Sequence, residues 1–445
     1  MFKRKFLGNL RISHCKNTAD MAPVKMTSPA QVLLPMDQHI GAPATPVVKV
    51  GDEVRVGQLV AEASGTVSAP IYASVSGKVI KIEDLLSANG KTVQAIRIES
   101  DGEMTPLEGI VPPTVTDLDS LLDACQKSGI VGLGGAGFPT AVKLSALKKG
   151  TIHTVIINGA ECEPYITSDA RTMLDDADYV CEGIKLLQAF APTVKQYIIG
   201  IETNKPECIK KLSEMTKNDP MVSVKSLPLL YPQGAEKIMV YNTTGVTIPE
   251  GQFPADAGII VINVTTLASF AKYVKTGMPL VERCITVDGS IVANPMNVIA
   301  PIGTPVADVL AFAGGLSQTN CKVLMGGPMT GHALNSLSEP VVKTTNAIVA
   351  LTEEESFGKK TTACIHCGKC VSVCPVGLNP TAFVKALKAD TVDEQMALLD
   401  DASLTLCMEC GCCAYVCPAE RPLAETIRIA KNSLKEYKAH KAGLK

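Results

Sequence analysis

Two runs of cysteine carry the most specific chemistry in this 445-residue chain. The first, "ACIHCGKCVSVCPVG", sets Cys364, Cys367, Cys370 and Cys374 at C-x2-C-x2-C-x3-C, with Pro375 next. The second, "LCMECGCCAYVCPAE", repeats the spacing with Cys407, Cys410, Cys413, Cys417 and Pro418. Three thiolates at i, i+3 and i+6 wrap one iron–sulfur cubane in a tight loop, and where two such runs occur the fourth ligates the other cluster. The spacing therefore predicts crossed ligation. Cys364, Cys367, Cys370 and Cys417 hold one 4Fe–4S cluster; Cys407, Cys410, Cys413 and Cys374 hold the second. Structural zinc favours two separated C-x2-C pairs and fits less well. Cys412, beside Cys413, reads as a spare buried thiol, and His366 as a surface loop residue.

A second candidate site lies upstream in "GLGGAGFPTAVK". Gly132, Gly134, Gly135 and Gly137 offer backbone N–H groups unobstructed by side chains, Pro139 marks a helix start, and Lys143 lies just inside that helix. This is the make-up of a phosphate cradle for a mononucleotide. A Rossmann dinucleotide loop would follow a strand, whereas this one follows a helical pattern ending at Gly129. Further on, "TVIINGAECEPYITSD" reads as an apolar strand delivering Asn158, Glu161 and Glu163 to its carboxyl end, where open α/β sheets bind ligands. "LYPQGAEKIM" contributes Tyr231, Gly234 and Glu236, and "IIVINVTTLASF" ends a strand at Asn263 and Thr266. Taken singly, these last two stretches are ordinary loops.

Several kinds of element must position these groups. Residues 31–100 alternate short Val/Ile-rich runs with glycine turns, an all-β pattern in two near-matching halves meeting around "SAPIYASVSG". "DGEMTPLEGIVPPTVTD" is a polar, proline-bearing linker, and "DLDSLLDACQKSGIVG" a helix. Strand-like and helical runs then alternate, as in an α/β domain. The stretch from "RCITVDG" to "FAGG" reads as strands, a turn-rich loop and a short helix, a β-grasp-like pattern. "LTEEESFGKK" is a charged connection, and "TAFVKALKADTVDEQMALLDDASLT" between the cysteine runs reads as helices.

Composition bounds the function. Apolar residues make up 46%, enough for sizeable cores, and the formal charge of −2 argues against nucleic acid. No apolar run approaches the ~20 residues of a membrane span. The basic N-terminus "MFKRKFLGNLRISHCK" lacks the apolar region of a signal peptide and reads as a solvated tail or first strand. With eight of the sixteen cysteines in cluster spacing and no export signal, a reducing compartment fits better than disulfides.

The β-rich region resembles the biotinyl/lipoyl barrel-sandwich domain. Its central tip, residues 69–74, holds no carrier lysine, so it reads as a structural or docking module. The four loops together resemble the flavin-bearing NADH-oxidising subunit of respiratory complex I, whose "GRGGAGFPTGxKW", "NADESEPG", "YICGEE" and "NNVETL" are answered here by "GLGGAGFPTAVKL", "NGAECEPY", "YPQGAE" and "INVTTL". The order of parts, with "QHIGAP", "GQ" and "SVSGKV" in the first module, is similar to the C subunit of the Rnf complex over nearly the whole chain. The resemblance implies a multidomain α/β plus β architecture: an N-terminal basic segment at 1–30, a lipoyl-like barrel-sandwich at 31–105, an FMN/NADH-binding α/β domain at 112–275, a β-grasp (SLBB-like) domain at 276–350, and a helical two-cluster ferredoxin-like domain at 355–445.

It further implies FMN held by Gly132, Gly134, Gly135, Gly137 and Lys143, with Asn158, Glu161, Asn263 and Thr266 around the flavin. Phe138, Glu163, Tyr231, Gly234 and Glu236 would lie near flavin or nicotinamide. NAD(H) is the implied substrate, with electrons passing through FMN and the two clusters to or from a partner, and with no side-chain acid or base required. The implied setting is the cytoplasmic face of the membrane, peripheral, among the other subunits of an Rnf-type complex linked indirectly to ferredoxin. Ala160, Leu144 and Ala235 stand where the complex I family has aspartate, tryptophan and glutamate. The competing readings are a soluble flavin/iron–sulfur reductase of the corrin reductase kind, and an electron-conducting scaffold without NADH binding.

Overall fold

The computed structural model describes residues 8–86, 92–356 and 360–443. Residues 1–7 of the basic segment and 357–359 of the charged connection lie outside them.

A parallel sheet organises the region that holds the glycine loop. Its strands run in the order Val222–Leu227, Gln196–Glu202, Thr154–Gly159, Ile259–Asn263. Thr154–Gly159 and Ile259–Asn263 read as unbroken apolar runs because they are buried on both faces. Such strands need helices on each side, and Ser168–Asp175, Ala177–Phe190, Pro206–Thr216, Glu236–Thr244 and Val264–Thr276 supply them. The register sets Asn158 beside Asn263 at the carboxyl ends of neighbouring strands. Ahead of the sheet, Asp117 caps the helix Leu118–Lys127 through Ser120, and Gly129 turns the chain out of it with φ +68°.

The first β module is two antiparallel layers: Gln31–Pro35, Thr92–Ser100, Gly77–Leu86 and Glu53–Val54 in one, Thr45–Pro46, Leu59–Glu62 and Ile71–Tyr72 in the other. Its central tip is a docking element. Ala69, Ile71 and Ala73 are buried, the Tyr72 hydroxyl donates to Lys127 O, and Ser74 Oγ donates to Ile302 O. A lysine does meet this tip, but it comes from another domain. Lys343, 0% exposed, donates to Pro70 O at 2.5 Å and Gly129 O at 2.7 Å, and burial lowers its pKa to about 7. One amine thus ties three parts of the chain.

A six-stranded mixed sheet follows, built on the antiparallel pair Glu282–Asp288 and Met296–Pro301 with the helix Val306–Phe312. Its edge strand is Val24–Lys25, paired to Val298 and Ile299. From Gly8 on, the N-terminal segment is therefore bound to the rest of the chain and supplies a first strand, as one of its two readings allowed. It is a strap: Gly8 packs on the Val373–Cys374 backbone, Leu10 pairs with Tyr231, Ile12 and Thr18 are buried, and Ala19 O accepts from Arg171. Its alternation of apolar and polar residues is too short to announce this from sequence. The C-terminal domain packs Pro380–Ala386, Val392–Asp401 and Leu423–Lys441 around Phe383, Leu399 and Ile427. No helix among the described residues is long and apolar enough to cross a membrane.

Replacing Lys343 by alanine leaves two buried carbonyls without a donor and opens a cavity, so Lys343→Ala is expected to destabilise by about 2–4 kcal/mol. A thermal unfolding midpoint equal to that of the unmodified chain would remove Lys343 as the tie between the three domains.

Candidate functional site

At the carboxyl ends of the parallel strands lies a cleft of ≈ 350 Å³. Of the residues singled out in the sequence, Gly132, Gly134, Phe138, Lys143, Asn158, Glu161, Glu163, Tyr231, Gly234, Glu236, Asn263 and Thr266 line it. Two do not. Gly135, at φ +104°, sits on the exposed arm of the loop; Gly137, at φ +66°, turns toward the first β module, where Ile40 donates to its carbonyl. The cradle is thus narrower than the motif suggests. Gly132 and Gly137 use their N–H groups to close the loop on itself, and Leu133 N donates to Thr266 Oγ1. The stretch 134–136 is left at the cleft mouth. Gly134 must be glycine: a Cβ there would stand 2.9 Å from Asn263 Nδ2.

The polar side chains brace the walls. Asn158 donates to Gly234 O at 2.9 Å and accepts from Ala160 N at 3.2 Å, joining two of the loops. Asn263 caps its helix through Thr266 N and donates to Asp169, which also receives the Thr265 hydroxyl. Lys143 lies in the short helix Thr140–Leu144. Its amine is 2.6 Å from Glu236 Oε1 and donates to Val261 O at 3.0 Å. Both side chains of this pair are about one-third exposed, so the pair is weak and exchangeable.

Glu163 accepts from Met329 N at 3.1 Å and from the Thr330 hydroxyl at 2.5 Å, which pins the 326–331 loop over the cleft. Glu161, in left-handed conformation at φ +49°, accepts from Asp169 N and Ala170 N at the start of a helix. It keeps an edge toward the cleft, but its carboxyl is shielded from water. Burial pushes its pKa up to about 7 against the pull of Lys16 and Lys205; burial also raises Glu163 and Asp169.

The cysteine runs repeat each other in backbone as in sequence. His366 and Glu409, Gly368 and Gly411, Gly377 and Glu420 all take left-handed φ at matching places. His366 is exposed, as expected. The fourth cysteine of the first run lies with the second run. Cys374, Cys407, Cys410 and Cys413 line one small cavity of ≈ 30 Å³ beside Pro375, Phe383 and Ile427. Cys417 lies within electrostatic reach of Cys370. All sixteen cysteines are free thiols. Backbone N–H groups of Leu378 and Glu409 donate to Cys374 Sγ and Cys407 Sγ, the kind of contact that tunes cluster potential. The thiols gathered at that cavity are the soft sulfur donors an iron–sulfur cluster takes.

The flavin-side cleft and the cluster domain share a wall. Met408 and Cys410 line the cleft, and the Tyr231 hydroxyl donates to Cys410 O at 2.8 Å. Cys412 is buried, as expected, and lines the same cavity as Cys413; with Ile12, Cys162 and Tyr231 it forms the apolar seam between the two domains. The cleft fits FMN: the backbone is open at Gly132 and Gly134, one cation faces it from Lys143, and the Asn158 and Asn263 amides are held on its wall by protein partners. Sequence reasoning missed Asp169, Cys162, Thr330, Met408, Lys16 and Lys205. Of these only Asp169 carried a signal, in the "SDAR" helix start.

The chain matches four family models: "RnfC Barrel sandwich hybrid domain" over 4–103, "Nuo51 FMN-binding domain" over 125–272, "SLBB domain" over 284–333 and "4Fe-4S dicluster domain" over 360–421. It is 42% identical over 435 residues to the C subunit of the Na(+)-translocating ferredoxin:NAD(+) oxidoreductase complex of Acetobacterium woodii, covering 96% of this chain and 97% of that one. It is 40% identical over 387 residues to the C subunit of the proton-translocating ferredoxin:NAD(+) oxidoreductase complex of Clostridium ljungdahlii, covering 85% and 83%. It is 40% identical over 434 residues to the C subunit of the ion-translocating oxidoreductase complex of Rhodobacter capsulatus, covering 96% and 83%. Among solved structures, an NAD+-reducing [NiFe]-hydrogenase in the air-oxidized state shares the fold at a TM-score of 0.50 and 18% identity, over 75% of this chain and 64% of that one.

Glu161 binds a proton more readily folded than unfolded, so between about pH 4.5 and 7 the folded state holds more protons and stability falls as pH rises. The expected loss over that window is about 1–2 kcal/mol in the cofactor-free chain. Urea denaturation at pH 5 and pH 7 measures it, and Glu161→Gln should flatten the difference; an unchanged slope in the variant would assign the pH dependence elsewhere.

Proposed function

The chain belongs to the RnfC family, the C subunits of the Rnf ion-translocating ferredoxin:NAD(+) oxidoreductase complexes, and on that footing we propose how its own residues serve electron transfer. It is an electron-transfer subunit of such a complex, with FMN and 4Fe–4S clusters as cofactors and NAD(H) as the complex's substrate. The observation that carries the finer reading is the shared wall, where Met408 and Cys410 line the same cleft as Gly132, Gly134, Lys143 and Asn158. When bound, FMN exchanges a hydride with NAD(H) and single electrons with the clusters.

The chain's residues bind, orient and insulate. Gly134 lets backbone approach the ligand, and Lys143 offers its amine in exchange for the Glu236 pairing. Asn158, Asn263 and Thr266 fix the loops around the ring. Glu163, Tyr231 and the Thr330 loop close the side away from solvent. Tyr231 also fixes the Cys410 backbone against the cleft. We read the group held by Cys407, Cys410, Cys413 and Cys374 as the one beside the flavin, although it is second in sequence. The group held by Cys364, Cys367, Cys370 and Cys417 is the outward one; Cys367 and Ile365 beside it are exposed, the latter 66%.

The proposed domain limits remain 31–105, 112–275, 276–350 and 355–445, with lipoyl-like, β-grasp and ferredoxin-like folds. Their support is that the β-grasp and cluster regions have cores of their own; the first β module and the α/β region, joined by the largely exposed 101–117 stretch, share one continuous core. Of the proposed N-terminal segment 1–30, the described residues from Gly8 on are better counted as a strap than as a segment of their own. We place the chain peripherally at the cytoplasmic face, held by partner subunits and linked through them to ferredoxin. One observation favours a second reading, a conduit without NADH binding: Glu161, Glu163 and Glu236 are all engaged by protein donors, and Ala160 is buried.

Anaerobic loading with FMN, iron and sulfide followed by NADH tests the assignment. Flavin bleaching followed by EPR signals of two reduced clusters is expected. Bound flavin that does not respond to NADH selects the conduit, and no flavin binding removes the cleft assignment. For the crossed ligands, Cys374→Ser is expected to halve the iron content, roughly four of eight irons lost, and to abolish the second-run signal while the first-run signal persists. Loss of the first-run signal alone would show uncrossed ligation.

A further inference from the structure

We propose that Lys16, on the N-terminal strap, is a positioning residue of the flavin cleft, holding the loop between the strand Thr154–Gly159 and the helix Ser168–Asp175 in its ligand-binding shape. The inference rests on reading the cleft as the FMN site.

The loop is an awkward piece of backbone. In a short span it carries two non-glycine residues in left-handed conformation, Glu161 at φ +49° and Tyr165 at φ +69°. Its carbonyls turn inward, away from water, where each needs a donor. No helix or strand supplies one. Lys16 does, bonding Glu161 O at 2.9 Å, Glu163 O at 2.8 Å and Ile166 O at 2.5 Å. All three donors of one ammonium group go to one loop, which fixes the direction of the intervening Glu161, Cys162 and Glu163 side chains that line the cleft.

Burial lowers the Lys16 pKa, opposed by Glu161 and Glu202 and reinforced by Lys205, with His14 the other nearby basic group. Lys205 plays the complementary part, donating to Ala160 O at 2.6 Å and to Asn204 Oδ1 at 3.1 Å, next to Glu202. The strap is anchored on both sides of Lys16, by Tyr165 N to His14 O at 2.9 Å and by the Thr18–Thr167 hydroxyl contact at 2.6 Å. Lys16 therefore arrives at the loop in register, with little freedom left to lose.

The test compares Lys16→Met, which keeps the length but not the donors or charge, with Lys16→Arg, in cluster-loaded full-length protein. FMN affinity is read by fluorescence quenching and the flavin midpoint potential by anaerobic spectroelectrochemistry. Lys16→Met is expected to raise the FMN Kd roughly tenfold or more and to shift the potential downward, because a cation close to the cleft wall would favour the reduced, more negative flavin. Lys16→Arg should restore most of both, and the cluster EPR signals should be those of the unmodified chain in both variants. Unchanged affinity and potential in Lys16→Met would overturn the proposal. So would loss of the cluster signals together with flavin, which would make the strap a general folding element. If the unmodified chain itself binds no FMN, the cleft reading fails first and is recognised as such.

Discussion

Buried backbone must find hydrogen-bond partners, and in this protein that constraint bears hardest on the loop after Gly159. The parallel sheet delivers the chain to the cleft, but the loop that follows is neither helix nor strand. Its amides and carbonyls are met by groups from elsewhere in the chain: Lys16 from the strap, Lys205 from the next strand's end, and the Asn158 side chain. In return the loop's own carboxylates reach outward. Glu161 caps the helix at Asp169 and Glu163 holds the 326–331 loop. Satisfying one irregular segment thus draws four parts of the molecule to one place.

The same logic explains why the domains meet where they do. Tyr231 lines the cleft, pairs with Leu10 of the strap, and donates to the carbonyl of Cys410. Around it Ile12, Cys162 and Cys412 form a dry seam. A cluster ligand is therefore held against the cleft by the groups that close the cleft. Electron transfer needs short gaps between cofactors, and here closeness is a by-product of packing a polar loop and an apolar seam together. The first β module contributes at a distance: its lysine-free tip is gripped by Lys343 and Lys127, which steadies the approach to the glycine loop at Gly129 and Gly137.

Much of this was legible in the residues. Cluster ligation depends on spacings of a few residues within one loop, and the trailing prolines mark where the fourth cysteine leaves it, so a 4Fe–4S dicluster domain could be read from sequence. The apolar strands, the Asp117-capped helix and the asparagines at strand ends are likewise local features with local causes. Twelve of the fourteen residues named for the cleft line it, because glycines and strand-terminal amides carry their reason with them. Gly135 and Gly137 were drawn in by the motif and released by the turn geometry.

What the sequence could not determine is long-range pairing. The strap reads as a solvated tail or first strand, without its partners, because these, from Glu161 to Val298, lie far along the chain, and hydrogen bonds to carbonyls leave no mark in the partner's residue type. Lys143 reads as a free phosphate donor because nothing local shows Glu236 opposite it. Which cysteine run stands beside the cleft is decided by the docking of Cys410 on Tyr231, a contact between residues 179 apart. Sequence by itself determined the chemistry and its ligands, since those act over one loop or one strand end. Only the tertiary structure decided their order and support, since burial and hydrogen-bond satisfaction act between surfaces that meet after folding.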